Sequence, residues 1–176
     1  MILDHRVKGL KRLGSGSYCV TFDTKDGNVM KVPLKQSNTE RFDDGSDFAS
    51  LPIRKMICES IFDRTMWLRT RMGSLITPVS VDPDGFIIQK RLKGLNFYRL
   101  REHAHKNGEL NKLYELEQRF HQLIEEARAY ADASGVFKAY YVDSNRSNFM
   151  FNRSFQILGW FDPFIPCNIP YYDSEL

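Results

Sequence analysis

The sequence predicts an α+β fold, in which an antiparallel β-sheet with one main helix precedes a mostly helical second part. Three observations lead to this prediction. Short apolar runs separated by glycine-containing turns fill roughly the first half of the chain, as in an antiparallel sheet. One long amphipathic helix is predicted for residues 109–134, and a β-hairpin for residues 149–161. With 176 residues, of which 42% are apolar, the chain can bury a core.

The predicted sheet begins with two strands, up to about Phe22, on either side of a glycine-containing turn. A hairpin turn at residues 26–28 leads into a strand at residues 29–33, where Lys31 stands between apolar neighbours. Residues 36–50 are polar and acidic, and they predict a loop.

The main helix of the first part is predicted to open at Pro52, since proline is favoured in a first turn. Its apolar residues recur mostly at helical spacing and should face the sheet: Ile53, Ile57, Ile61 and Leu68. Short strands follow around residues 75–81 and at 86–89, and residues 90–92 connect to the second part.

The second part is dominated by the helix predicted at residues 109–134, which ends where Gly135 supplies a helix stop. Its apolar stripe is expected to be core: Leu113, Leu116, Phe120, Leu123, Ile124, Ala127 and Ala131.

Three polar residues near the end of the chain suggest a chemistry. Asn148 follows Asp143 by five residues, and Asp162 comes after two apolar runs, 149–151 and 157–161. A hairpin made from these runs brings its ends together, so Asn148 and Asp162 should become neighbours facing Asp143. Phosphoryl transfer uses such a set, with one Asp at the attacking hydroxyl and an Asn and a second Asp at the metal.

A second motif strengthens this interpretation. Glycines in the first turn let a backbone approach phosphate oxygens, and Lys31 can reach phosphates from the strand beneath. The residues of the turn are Gly14, Ser15, Gly16, Ser17 and Tyr18. A glycine turn, a strand lysine and then Asp, Asn and Asp in this order are more specific than any one of them.

With these motifs, the chain resembles the protein-kinase-like fold in a miniature form over roughly residues 10–164. It is most similar to the early serine/threonine kinases of short-tailed coliphages, and more loosely to miniature effector kinases of bacterial pathogens. The likeness lies in the Leu-Gly-x-Gly-x-aromatic turn, the strand around Lys31, the loop from Asp143 to Asn148, and Asp162 followed by Pro163.

The resemblance implies one bilobal domain over residues 1–176, with an N-lobe and hinge at 1–92 and a truncated C-lobe at 93–176. It implies ATP and Mg²⁺ as cofactors. Asp143 and Lys31 would be catalytic, with Lys31 oriented by Glu59 or, as second choice, Glu40. The implied nucleotide-binding residues are the turn residues 14–18, Lys31, Gln89 and Arg91. Asn148 and Asp162 would bind the metal.

The sequence departs from the usual kinase pattern in its catalytic loop. Val142 stands where most protein kinases have an arginine that binds a phosphorylated activation loop, and only residues 163–176 follow Asp162. We therefore expect a constitutively active form without an activation segment. Asn145 replaces the usual lysine that stabilises the γ-phosphate, and the neighbouring Arg146 is the candidate to replace it.

The net charge of +3 is too small to predict nucleic-acid binding, but one stretch of the chain is basic. This basic stretch contains Lys90, Arg91, Lys93, Arg99, Arg101, Lys106 and Lys112. It predicts either a solvated surface or a docking face for a host protein. Three scattered cysteines, no signal-peptide pattern and no long apolar run favour the cytoplasm, that of the host cell for a phage or pathogen protein.

Three function classes remain open at this stage. The first is a serine/threonine protein kinase that modifies host proteins. The second is a kinase-like scaffold, weak or inactive in catalysis, that inhibits a host enzyme by direct binding. The third is a small-molecule phosphotransferase similar to aminoglycoside kinases, which share the Asp, Asn and Asp layout but have a larger helical lobe.

Overall fold

The computed structural model describes residues 6–15, 19–34, 48–135 and 142–164. The described elements run in the order β1 (Lys11–Ser15), β2 (Cys19–Asp23), β3 (Asn28–Pro33), α1 (Leu51–Met72), β4 (Val79–Val81), β5 (Ile87–Lys90), α2 (Phe97–Asn107), α3 (Leu110–Ala133), β6 (Phe149–Phe151) and β7 (Ile157–Trp160). They form two compact units. Among the described residues, unit 1 holds those up to 63 and 79–91, and unit 2 holds 64–78 and 92–164.

Unit 1 is built on a five-stranded antiparallel sheet with the strand order β1-β2-β3-β5-β4. Alternate residues of β3 point to opposite faces of this sheet. One face carries a cluster that includes Met30, Val32 and Phe86. The other carries Ile87 and Val79, against which Cys58 of α1 packs. The predicted antiparallel sheet with one main helix is therefore confirmed.

The helix α1 begins at Leu51, with Pro52 in its first turn, and ends at Met72 before Gly73, whose φ of 63° stops the helix. Its first half belongs to unit 1 and its second half to unit 2. The sequence placed everything up to residue 92 in one lobe, whereas residues 64–78 cluster with unit 2. The reason is that Leu68 and Ile76 are fully buried in the core of that unit.

Unit 2 combines α2 and α3 with the hairpin β6–β7. The helix α2 is capped by the Asn96 side chain, which accepts a hydrogen bond from the Arg99 N–H, and it ends at Gly108 in the left-handed conformation. The stripe predicted for α3 forms its buried face, except that Leu123 is only partly buried. Aromatic rings fill the space between α3 and the hairpin: Phe120 meets Phe149 edge to face with ring centres 4.8 Å apart.

Two short segments extend the hairpin on both sides. Leu95 pairs with Phe151 through two backbone hydrogen bonds of 2.8 and 2.9 Å, and Thr77 N–H donates to the Trp160 carbonyl at 3.0 Å. Gly94 lies so close to β6 that a β-carbon there would stand 2.6 Å from the Phe151 carbonyl oxygen. The hairpin is thereby fixed within unit 2 on both edges.

None of the helices described in the structure has the length and apolar character that crossing a membrane requires.

Candidate functional site

The site in unit 2 forms where the chain enters the hairpin and where it leaves it. Val142 and Phe164 form an antiparallel bridge, and the Asp143 N–H donates to the Pro163 carbonyl at 2.9 Å. Phe164 is buried and packs beside Trp67. The segment that carries Asp143 is thus tied directly to the segment that carries Asp162.

The register of the hairpin sets the position of Asn148. Phe149 pairs with Trp160, and the Phe161 N–H donates to the Asn148 carbonyl at 2.9 Å. Asn148 therefore lies opposite Phe161, one residue before Asp162. The pairing is stable because Phe149 and Trp160 are both fully buried and their rings stack 4.7 Å apart.

The Asn148 amide joins the two aspartates. Its Nδ2 donates to Asp143 Oδ2 at 2.7 Å and to the backbone carbonyl of Asp162 at 3.0 Å. Asp143 Oδ1 accepts a second bond, from the Asn145 N–H, at 2.8 Å. The structure thus brings Asp143, Asn148 and Asp162 together, as the predicted hairpin required.

The loop between Asp143 and Asn148 holds its shape through its own side chains. Residues 146–148 form one turn of 3₁₀-helix, and the Asn145 side chain caps it by accepting from the Ser147 N–H at 2.9 Å. Asn145 also accepts from the Ser147 hydroxyl at 2.8 Å. Asn145, which the resemblance aligns with the catalytic-loop lysine of kinases, is therefore used as a cap.

Arg146 does not have the orientation expected of a substitute for that lysine. Its Nη1 lies 2.9 Å from Glu117 Oε1 on α3. Its guanidinium lies over the rings of Phe97 and Phe120, at 4.8 and 5.8 Å from their centres. This side chain binds the loop to the helices of unit 2, so the expected γ-phosphate contact is not supported by its position.

Asn148 and Asp162 carry oxygens of the kind that magnesium prefers. Both hydrogens of Asn148 Nδ2 are used, so its Oδ1 is the atom of this amide that remains for a cation, and Asp162 meets Asn148 through its backbone carbonyl. Within the described residues there is no group of three or more His, Cys, Asp and Glu side chains placed for a metal.

In unit 1, Lys31 and Gln89 are buried in the sheet, with 4% and 2% of their surfaces exposed. Lys31 pairs with Ile87, and Gln89 pairs with Val29 and Val79. Cross-strand partners point to the same face of a sheet, so Lys31 and Gln89 share the face that α1 covers. Burial of a lysine on this face is the unusual feature, because lysines are rarely buried without a role or a partner.

The expected partner of Lys31 is not in place. Glu59 is exposed on α1, and it forms no ion pair within the part of the chain that the structure describes. The helix phase explains this, since the preceding residues Ile57 and Cys58 occupy the buried face. Glu40, the second choice, lies outside the described residues.

The other residues predicted to bind nucleotide lie in β1, in the turn after it, and after β5. Gly14 and Ser15 lie at the end of β1, paired with Thr21 and Val20 across the turn. Gly16, Ser17 and Tyr18 lie outside the described residues.

Arg91, predicted at the hinge, donates its N–H to the Gly27 carbonyl at 3.0 Å, and its side chain is ion-paired with Asp23. This N–H is thus used within the protein, because the pairing of β3 with β5 continues past Lys90.

All seven cations of the basic stretch are exposed, and three of them lie together on α2. Arg99, Arg101 and Lys106 are exposed there. At its far end, Lys112 is paired with Glu109 at 2.7 Å and lowers the pKa of that carboxyl.

Sequence reasoning missed the contact between Arg146 and Glu117. The available signal was the position of Glu117 next to Leu116 in the apolar stripe of α3, which places a carboxylate at the edge of a buried face. Comparison of the chain with protein-family models, with curated proteins and with solved structures found no match.

Proposed function

We propose that the protein is an ATP- and Mg²⁺-dependent serine/threonine protein kinase of minimal size, encoded by a phage or pathogen and acting on host proteins. One observation carries the proposal: the Asn148 amide joins Asp143 to the Asp162 backbone, with bonds of 2.7 and 3.0 Å. This geometry supports phosphoryl transfer because the reaction needs a positioned carboxylate beside a metal site.

Asp143 is suited to receive a substrate hydroxyl. Each of its oxygens accepts one hydrogen bond from the protein, which fixes the carboxylate plane and leaves further acceptor capacity on both atoms. The residue is only partly buried, so a substrate can reach it. In this proposal Asp143 accepts or orients the proton of the attacking hydroxyl.

Asn148 and Asp162 would hold the metal, which supplies charge neutralisation for the transferred phosphoryl group when it is bound. Their part is to keep oxygen ligands fixed beside Asp143. Lys31 enters the proposal through the sequence resemblance and its burial, as the residue that holds phosphates.

The test is transfer of labelled γ-phosphate from ATP with Mg²⁺ into a bacterial lysate, using wild type and Asp143→Ala. Labelled proteins with wild type alone would support the kinase. If neither protein transfers label although wild type binds ATP, the kinase proposal fails.

A kinase-like scaffold that inhibits a host enzyme by direct binding is the second candidate. It is favoured by the loop around Asn145, where Arg146, the candidate to replace the usual lysine, is engaged by Glu117. Asp143→Ala separates the two candidates in infected or expressing cells. A scaffold keeps its biological effect in this variant, whereas a kinase loses it.

The exposed basic residues of α2 are the candidate docking face for the host protein. A triple variant with Arg99→Glu, Arg101→Glu and Lys106→Glu should abolish labelling of host proteins and leave ATP hydrolysis unchanged. Reversal of Arg12 and Lys25, exposed in unit 1, is the matched control. Unchanged labelling of host proteins in the α2 variant would exclude this docking face.

A further inference from the structure

The loop that carries the candidate site has one connection to the helices of unit 2. Ser144, Asn145 and Ser147 are exposed, and the side chains of Asn145 and Ser147 bond to each other. Among residues 144–147, all of which the structure describes, Arg146 is the one whose side chain bonds outside the loop. Its partner, Glu117, is 29 residues away in sequence.

The surroundings of this ion pair restrict its geometry. The Arg146 and Glu117 side chains are 38% and 31% exposed, and ion pairs this accessible contribute little stability on their own. The guanidinium, however, also lies over Phe97 of α2 and Phe120 of α3. A planar cation held by a carboxylate at its edge and by rings at its face has a defined position.

The position of Arg146 is transmitted directly to Asn148. The two residues belong to the same 3₁₀ turn, in which the Asn148 N–H donates to the Asn145 carbonyl at 3.0 Å. Phe149, the next residue, packs on the same Phe120 ring that Arg146 covers. A shift of the guanidinium would therefore move the turn and with it the amide that joins Asp143 to Asp162.

We propose that Arg146 and Glu117 are positioning residues, which lock the turn 146–148 onto α3 and so set the place of the Asn148 amide between the two aspartates. The lock itself follows from the contacts above, and its catalytic consequence rests on the proposed kinase function. This assigns Arg146 a role different from that of a γ-phosphate ligand.

The first test does not depend on activity. Hydrogen exchange of the Asn148 backbone N–H, followed by NMR, should become about ten-fold faster in Arg146→Ala and in Glu117→Gln, because the turn opens more often. The double variant should be no faster than Arg146→Ala alone, since the Glu117 change then has no contact with Arg146 left to remove. Unchanged exchange in the single variants, or additive effects in the double variant, would overturn the proposal.

A matched control lies on the same helix. Arg128 and Glu125 form an ion pair of similar length, 2.8 Å, that does not involve the loop. Arg128→Ala should leave exchange at Asn148 unchanged. Equal acceleration in this variant would mean that α3 is loosened as a whole and would also overturn the proposal.

The second test applies once phosphate transfer by wild type has been observed. Arg146→Ala should lower kcat by about 10²-fold, as expected for misplacement of a catalytic group, with KM for ATP little changed. Arg146→Lys, which restores the ion pair without the planar stack, should recover part of the loss. A rise in KM at constant kcat would instead make Arg146 a nucleotide ligand. If wild type transfers no phosphate, the kinase proposal fails, and the exchange data still decide on the lock.

Discussion

The predicted site residues lie together in unit 2, whereas in unit 1 the predicted partners do not meet. In unit 2, Asp143, Asn148 and Asp162 come together through hydrogen bonds of 2.7 and 3.0 Å. In unit 1, Lys31 is buried, but Glu59 is exposed on α1 and does not reach it. The difference shows that a hairpin can bring residues together through strand register alone, whereas an ion pair between a helix and a sheet also depends on helix phase.

The largest expected effect concerns Asp143. Asp143→Asn keeps the shape of the side chain but removes its charge, so phosphate transfer should fall by about 10²- to 10⁴-fold, the usual contribution of a general base. The measurement is steady-state transfer from labelled ATP. Asp63→Asn, an exposed change on α1, is the control and should retain full activity. Equal activity of wild type and Asp143→Asn would show that the charge of Asp143 is not needed for phosphate transfer, and would contradict the proposed role of the site.

Separate substitutions of Lys31 and Glu59 test whether these two residues of unit 1 act as a pair. Lys31→Met should lower transfer by about 10²-fold, as loss of a charge that stabilises the transition state does. Glu59→Gln should change it by no more than about two-fold, as for an ordinary surface substitution. Both rates can be measured in the same assay. A large loss in Glu59→Gln would mean that Glu59 does bind Lys31 in the working protein.

Sequence reasoning predicted the hairpin and the convergence of its polar ends because both depend on local information. Two short apolar runs, at residues 149–151 and 157–161, with a polar turn between them predict a hairpin. They do not predict the register shift between Met150 and Phe151. The turn itself is more specific than expected, since Asn152 accepts from the N–H groups of Ser154 and Gln156, and Phe155 has a φ of 59°.

The parts that could not be predicted depend on contacts between distant segments. Glu59 was expected to pair with Lys31, but the packing of Cys58 on Ile87 sets which side of α1 faces the sheet, and Glu59 is exposed. Arg146 and Glu117 are 29 residues apart, and no periodic pattern relates a loop cation to a helix carboxylate. These features come from tertiary packing, which overrides local preference.

A smaller effect is expected from the close approach of Gly94 to the hairpin. Gly94→Ala would place a β-carbon 2.6 Å from the Phe151 carbonyl oxygen, and relief of this clash should cost about 1–3 kcal/mol of unfolding free energy. Urea unfolding can be followed through Trp67 and Trp160, which both lie in unit 2. Gly14→Ala, whose β-carbon meets nothing within 4 Å, is the control and should unfold at the wild-type midpoint.

The smallest effect concerns the buried thiol of Cys58 in unit 1. Burial raises its pKa above the ordinary value of 9.0. The unfolded chain therefore loses this proton first as pH rises, so the stabilisation is complete below about pH 9 and is lost above it, by at most about 1.4 kcal/mol per pH unit. Unfolding measured between pH 8 and 10 should show a shallower loss in Cys58→Ala than in wild type. Equal slopes in wild type and Cys58→Ala would contradict this effect of the buried thiol.

The central claim is that Asp143, Asn148 and Asp162 form one metal-assisted phosphoryl-transfer site, and paramagnetic NMR with Mn²⁺ and ATP tests it most directly. In wild type, the bound ion should broaden the amide signals of residues 147–149 and 161–162 at substoichiometric concentrations. Asp162→Asn should need much more Mn²⁺ for the same broadening, because one carboxylate ligand is lost. Absence of broadening in wild type, or identical broadening in both proteins, would contradict the claim.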